Sequence, residues 1–340
     1  MVQKTLLLID AVHITMGGGR VLLDYLCEKC VEKNVNFVLL RDSRCSPILR
    51  EKINCEVEIT GERDRKAYYK KHGNNYGAVL CFANIPPLVK LPCPVYTYFH
   101  NINLLKIPAS YSCKRKMLSY VKRCYIAFYS RNTDAWIVQT SNMEECIKQS
   151  LPCNKKKVLC LPFYKSIRTD CLLGRDARED YILVGDYTGT RGHEELLSAW
   201  RILCNGGFNR TLHLTVSMDS PFSKEIDKAQ KEGVKVINHG IIPYNDVLKL
   251  YEKCVATIYP SVNESLGLGI IEAMEAGCDV IGINLPYIHA ICEPSVEFDE
   301  ITPEQIASAV YEYEREEHKK SVLKIENKID EMLNCILNVC

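Results

Sequence analysis

Short apolar runs alternate along this chain with longer stretches whose apolar residues recur at helical spacing. The runs fall at residues 5–9, 36–40, 78–82, 95–99, 135–138 and 157–160. A strand that is apolar on both faces suits the inside of a parallel sheet, and the amphipathic stretches between suit the crossover helices such a sheet needs. After Pro162 and a polar stretch at 168–180, the rhythm restarts at 181–184 and continues through 212–216, 234–237, 255–259 and 279–283. The pattern predicts an α/β chain of two Rossmann-like domains in series, residues 1–163 and 164–320, joined near 162–180. From 303 to 340, Lys and Glu interleave with Ile, Val, Leu and Met, which predicts two terminal helices, with 321–340 free to pack back on the first domain. Ligands of such sheets sit beyond the carboxyl ends of the strands, so a cleft between two facing domains is the expected site.

At 340 residues the chain exceeds what one hydrophobic core usually serves, in keeping with two domains. Apolar residues at 47% and charged residues at 25% exclude a disordered chain. The net charge of +1 hides an asymmetry. Residues 1–163 hold 25 Lys and Arg against 13 Asp and Glu, the remainder 18 against 29, so the halves stand at +12 and −11. Either the basic half attracts a phosphate-bearing or membrane-surface partner, or the two halves attract each other. No nucleic-acid partner is expected. The cysteines run from Cys27 to Cys340 in a long α/β pattern, which suits reduced thiols in a cytoplasm, and residues 6–9 read as a strand entering Asp10, not as a signal peptide. No stretch reaches the roughly 18 apolar residues of a spanning helix. A cytoplasmic chain is expected, at most peripheral on the inner face of the cell membrane. Cys27-Glu-Lys-Cys30 lacks a second ligand pair, so no zinc is expected.

The most informative stretch reads Tyr259-Pro-Ser-Val-Asn-Glu264-Ser265-Leu266-Gly267-Leu268-Gly269-Ile-Ile-Glu272-Ala-Met-Glu-Ala-Gly277. It predicts a strand, a loop carrying Glu264, and a helix that begins near Leu268 or Gly269 and ends before Gly277. Free amides at a helix start suit a diphosphate when no Cβ blocks its approach, and Gly267 and Gly269 would remove that block. Glu272 is expected in the first helical turn, where a carboxylate is favourable. The alternative is plainer: a loop acid, a helix-start acid and two turn glycines.

Two glutamates at this spacing, with Pro-Ser before them, the Glu-Ala-Met-Glu-Ala-Gly helix, the following 280–282 strand, Gly240, 245–251 and Leu285-Pro-Tyr, resemble the E-x7-E region of the family 4 glycosyltransferases. That family has the GT-B fold and transfers sugars with retention of configuration, in many members for surface polysaccharide. The resemblance implies that Glu264 contacts the transferring sugar and stabilises positive charge at its anomeric carbon, and that Glu272 binds the ribose. It implies that Ser265, Leu266, Gly267, Leu268 and Gly269 hold the diphosphate. Arg191, in Gly185-Asp186-Tyr-Thr-Gly-Thr-Arg191, fills the family's Lys position, whereas Asp186 stands where an Arg is usual. Arg191 as an exposed helix-start residue is the alternative, and Arg20 across the cleft could compensate for Asp186. No Asp-x-Asp occurs among the aspartates, so a metal-free mechanism with no cofactor is expected.

In the first domain, 12–20 carries Gly17, Gly18, Gly19 and Arg20 between strand and helix. By itself this is either a turn or a ligand loop; the resemblance favours Gly18 and Gly19 facing the donor diphosphate or the acceptor. His100 ends the strand at 94–99, where the resemblance places a histidine facing the donor sugar; the alternative is a buried His bonded to backbone. The helical pattern at 112–131 mixes Lys114, Arg115, Lys116, Lys122 and Arg123 with Met117, Leu118, Val121 and Phe128, either a membrane-surface helix or an ordinary packed one, and Lys155, Lys156 and Lys157 could extend it. The sequence therefore predicts a retaining, metal-independent transferase that takes a nucleotide-sugar donor to a glycan or lipid-linked sugar acceptor. A GT-B epimerase-like or non-catalytic sugar-nucleotide binder is the alternative.

Overall fold

The structure is a computed structural model that describes residues 6–47, 56–152, 156–167, 178–315 and 318–337. Part of the expected linker and Lys155 lie outside these residues. The chain divides into two compact units, Met1–Lys165 with Glu326–Cys340, and Ser166–Ile325.

In the first unit, strands β1 (Leu7–Ala11), β2 (Phe37–Asp42), β3 (Glu56–Ile59), β4 (Ala78–Cys81), β5 (Val95–Tyr98), β6 (Ala135–Val138) and β7 (Lys157–Cys160) form one parallel sheet. Its order is β3-β2-β1-β4-β5-β6-β7, with Leu7 opposite Phe37 on one side and Ala78 on the other. Helices α1 (Gly17–Glu32), α2 (Glu62–His72), α3 (Cys113–Tyr129) and α4 (Ser141–Ser150) are the crossovers. Every residue of β1 is buried, as a central parallel strand requires. Leu8, Val38, Leu40 and Val79 pack with Tyr69 of α2, while Trp136, Val138, Met143 and Ile147 form a second cluster under α4.

The second unit repeats the plan. Strands β8 (Asp180–Leu183), β9 (Leu212–Leu214), β10 (Val236–Asn238), β11 (Cys254–Tyr259) and β12 (Asp279–Ile283) are followed by a short β13 (Cys292–Glu293) and by β14 (Val296–Phe298). The sheet order is β10-β9-β8-β11-β12-β14, and β13 pairs instead with β15 (Val322–Leu323). Helices α5 (His193–Asn205), α6 (Ser223–Lys231), α7 (Tyr244–Tyr251), α8 (Leu268–Glu275), α9 (Pro286–Ile291) and α10 (Pro303–Arg315) flank it. The last helix, α11 (Ile329–Leu337), belongs to the first unit: it buries Met332, Leu333 and Ile336, and the Cys335 carbonyl accepts from the Tyr96 hydroxyl at 3.1 Å.

Strands β3 and β14 escape the apolar-run pattern. Each is a sheet edge that alternates acids with apolar residues, Glu-Val-Glu-Ile and Val-Glu-Phe.

One ion pair sits in the dry centre of the first unit. Asp10, on β1, is 1% exposed and Arg65, on α2, 2%. The Arg65 Nε donates to Asp10 Oδ2 at 2.7 Å, the Tyr69 hydroxyl donates to the same oxygen, and Val12 N donates to Oδ1 at 3.2 Å. A second guanidinium nitrogen donates to the Ile85 carbonyl at 2.8 Å. Such a pair ties α2 to β1, and removing one partner strands the other charge out of water. Arg65→Met should therefore cost roughly 3–5 kcal/mol in urea unfolding, and adding Asp10→Asn should recover much of it; a single variant as stable as wild type would contradict the pairing.

Candidate active site

Strand order reverses between β8 and β11, the neighbours from which the second sheet is wound in both directions. Ligands of doubly wound sheets bind at such a switch point. The loops leaving these two strands are tied together: Val262 N donates to the Thr190 carbonyl at 3.0 Å, and the Ser261 hydroxyl approaches it at 3.4 Å. Gly192, at φ +66°, completes the clasp, because a Cβ there would lie 2.7 Å from the Pro260 carbonyl.

Glu264 stands in the loop after β11 with its side chain 15% exposed. Its Oε1 accepts from the Ser261 hydroxyl at 3.1 Å and lies 3.6 Å from Arg191 Nε, and the Tyr259 hydroxyl donates to the same carboxyl. Burial pushes the Glu264 carboxyl above its ordinary range, with Arg191, Ser261 and Tyr259 opposing. Arg191 reaches this place by crossing Gly185, at φ +136°, where a Cβ would sit 1.6 Å from the guanidinium Nη1. Gly185 is held on both sides: its amide donates to Thr215 Oγ1 at 2.8 Å, and its carbonyl meets His193 Nε2 at 3.1 Å. Burial lowers His193 to about 4, so a neutral imidazole donates that bond.

Asp186 does other work. Its Oδ1 accepts from Tyr187 N at 2.9 Å and Ser217 N at 3.0 Å, stitching the loop after β8 to the segment after β9. Arg20, proposed to compensate for Asp186, is engaged locally by Asp24, at 2.8 Å from its Nε, and by Cys45 and Ser46.

Helix α8 starts at Leu268, as the sequence predicts, and Gly277 follows it at φ +87°. The fold itself also places demands on its glycines. Gly267 has φ +65° and a Cβ there would lie 2.8 Å from Ile291 Cδ1, so backbone conformation and packing against α9 demand it. A Cβ on Gly269 would only touch the Tyr259 ring at 3.5 Å. Ile270 N bonds to the Gly267 carbonyl at 2.9 Å, leaving the amides of Leu268 and Gly269 in the turn that has no intrahelical acceptor. Ser265 is half-buried beside Glu264, and Leu266 is buried in the core.

Glu272 is the fifth residue of α8 and lies in its second turn, not in the expected first one, because counting from Leu268 the first turn closes at Ile271. Burial lifts its carboxyl to about 7; Tyr244, the first residue of α7, hydrogen-bonds it and opposes the rise, while Glu275 adds to it.

In the first unit, Gly18 and Gly19 lie in the opening turn of α1, and a Cβ on Gly19 would come within 3.0 Å of His100 Cε1. The helix-start Gly19 and the histidine after β5 are thus neighbours. Burial lowers His100 to about 4 and leaves it neutral, its ring bonded to the Phe82 carbonyl, while its buried Nε2 has no hydrogen-bond partner among the described residues. The alternative of a buried His bonded to backbone is met at one ring nitrogen, and Nε2 is left over.

In the second unit, then, Glu264, Arg191 and the start of α8 meet, with Glu272 farther along the helix. Tyr244, Tyr259, Ser261 and Tyr287, whose hydroxyl donates to the Ser261 carbonyl at 2.7 Å, complete the surroundings without having been singled out. Tyr259 and Ser261 stood in the stretch that drew attention, but a strand end does not reveal which hydroxyl turns toward an acid.

Solved structures share this architecture along nearly the whole chain. The sucrose-phosphate synthase of Thermosynechococcus elongatus matches with 15% identity over 91% of this chain and 89% of that one, at a TM-score of 0.69. The lipopolysaccharide outer core galactosyltransferase WaaB in its apo form matches with 14% identity over 97% and 94%, at 0.61. The UDP-forming α,α-trehalose-phosphate synthase of Burkholderia vietnamiensis matches with 10% identity over 92% of each chain, at 0.62. The fold is GT-B. Residues 173–330 match the family described as "Glycosyl transferases group 1", a span that takes in nearly all of the second GT-B unit and every site residue named there. No curated protein sequence matches the chain.

The raised carboxyl of Glu272 has a pH consequence. A folded-state value near 7 against an ordinary 4.5 means that the folded chain holds the proton more tightly. Stability from this group is complete below about pH 4.5 and is lost as pH rises through about 7, a change of roughly 3 kcal/mol. Urea midpoints measured between pH 5 and 8 should fall less steeply in Glu272→Gln than in wild type; parallel slopes would contradict the assignment.

Proposed function

We propose that this chain is a glycosyltransferase that moves a sugar from a nucleotide-sugar donor to a glycan or lipid-linked sugar acceptor, with retention of anomeric configuration, in the building of surface polysaccharide. The observation that carries the reading is the Arg191–Glu264 pair at the switch point of a GT-B unit, beside a helix start that follows a left-handed glycine. The match of residues 173–330 to the group 1 glycosyltransferases supports it, as do similar structures whose names include a galactosyltransferase of lipopolysaccharide and a UDP-forming synthase.

In this reading the donor diphosphate takes the amides at the start of α8 and draws Arg191 from Glu264, which frees the carboxylate to face the sugar. The bond between the anomeric carbon and the phosphate oxygen breaks, its electron pair staying on the diphosphate. The acceptor hydroxyl forms the new bond on the same face and passes its proton to that leaving oxygen. Developing positive charge at carbon meets Glu264, and negative charge at phosphate meets Arg191. Glu272 accepts from the ribose hydroxyls. In the first unit, the open Nε2 of His100 beside Gly19 takes a sugar hydroxyl. Both charges are answered by side chains, so the reaction needs no metal ion.

Release of nucleoside diphosphate from a panel of donors, with the anomeric configuration of the product read by NMR, tests this. Glu264→Gln should lower turnover roughly a hundredfold or more with little change in donor affinity, Arg191→Ala should weaken both, and a chelator should leave the rate unchanged. Full activity in Glu264→Gln, strict dependence on a divalent ion or an inverted product would each count against it.

A further inference from the structure

Helix α3 turns two faces outward from its axis, and only one of them is used by the fold. Ser119 and Ile126 are its buried residues, the line along which it packs. On the opposite side Met117, Tyr120, Val121, Cys124 and Phe128 recur at helical spacing, and all five are exposed. Among the described residues, five of the twelve large apolar side chains that are exposed lie on this helix, with Met117 at 65% and Phe128 at 57%. Scattered singly they would need no account; gathered in one stripe they mark a surface that something covers.

The charge around the stripe says what. From Arg65 to Thr133 the sequence holds twelve Lys and Arg and no Asp or Glu. Lys114, Arg115 and Lys116 occupy the first turn of α3, where cations oppose the helix dipole, so they are kept at the expense of local stability. Two arginines lean over aromatic rings of the stripe, Arg123 over Tyr120 at 5.0 Å and Arg131 over Phe128 at 4.3 Å, and Arg115 leans at 3.7 Å over Tyr111, which precedes the helix. An aromatic body with a cation alongside suits the boundary between acyl chains and headgroups. A shallow cavity of about 330 Å³, lined by Tyr120, Arg123, Cys124, Ala127, Gln149 and Ser150, opens next to the stripe. Lys156 does not add to the surface, since it donates to the Thr133 carbonyl. A second copy of the chain would set this cationic field against itself. Among the described residues no helix is long and apolar enough to cross a membrane, so the contact is with a surface.

From this we infer that the outward face of α3 docks the chain on an anionic lipid bilayer, its apolar stripe entering the headgroup boundary and its basic side chains pairing with lipid phosphates. The inference goes beyond the proposed transfer reaction and does not rest on it. Sedimentation of the full chain with phosphatidylcholine vesicles, with and without phosphatidylglycerol as about a third of the lipid, tests it. Binding should appear with the anionic vesicles and fall with added salt. Val121→Asp with Phe128→Asp should abolish it while leaving the thermal midpoint unchanged, and Ile241→Asp, at an exposed apolar position of the other unit, should leave it intact. Neutralising Lys114, Arg115 and Lys122 with Gln should weaken binding by roughly a hundredfold. Absence of sedimentation with anionic vesicles, or equal binding by the Val121→Asp, Phe128→Asp chain, would overturn the inference. So would a dimer in light scattering that those two substitutions dissociate.

Discussion

A carboxylate taken out of water needs a cation beside it, and both units meet that demand near the carboxyl end of the first strand of their sheet. In the first unit Asp10 and Arg65 are almost wholly enclosed, 2.7 Å apart, with a tyrosine hydroxyl and a backbone amide filling the remaining valences. In the second, Glu264 and Arg191 stand 3.6 Å apart, the arginine 29% exposed. The close, dry pair holds a helix to a strand. The looser one leaves its arginine partly open to water. Similar strand orders thus support a dry pair in one sheet and a partly solvated pair in the other.

Much of this architecture is legible as sequence because parallel strands inside a doubly wound sheet carry no polar face. The runs at 5–9 and 255–259 stand out for that reason. Two of the four edge strands of the parallel sheets do not: β3 and β14 alternate acids with apolar residues and read as loop. The site was legible as a set of residues more than as a geometry. The spacing from Glu264 to Glu272 marked the loop and helix, yet with the helix starting at Leu268, after the left-handed Gly267, Glu272 falls in its second turn and not its first. Gly267 itself is required by Ile291, which is remote in sequence.

Side chains that bridge elements were the least legible. Tyr244 reaches Glu272 from α7, and Tyr287 reaches Ser261 from α9, contacts that local pattern does not encode. The puzzling Asp186 dissolves once its two amide partners are seen, because its acid spans loops that follow different strands. Gly185 matters for what it lacks: the Arg191 guanidinium lies where any larger residue would put its first carbon.

The placement of α11 governs how the protein can be made. The first unit is discontinuous, interrupted by the 160 residues from Ser166 to Ile325, and the helix that covers part of its sheet comes last. During synthesis the second unit can therefore finish folding while the first still exposes the surface meant for Met332, Leu333 and Ile336. A chain cut after Ile325 would spare the site residues of the second unit and damage the sheet at the other end of the sequence.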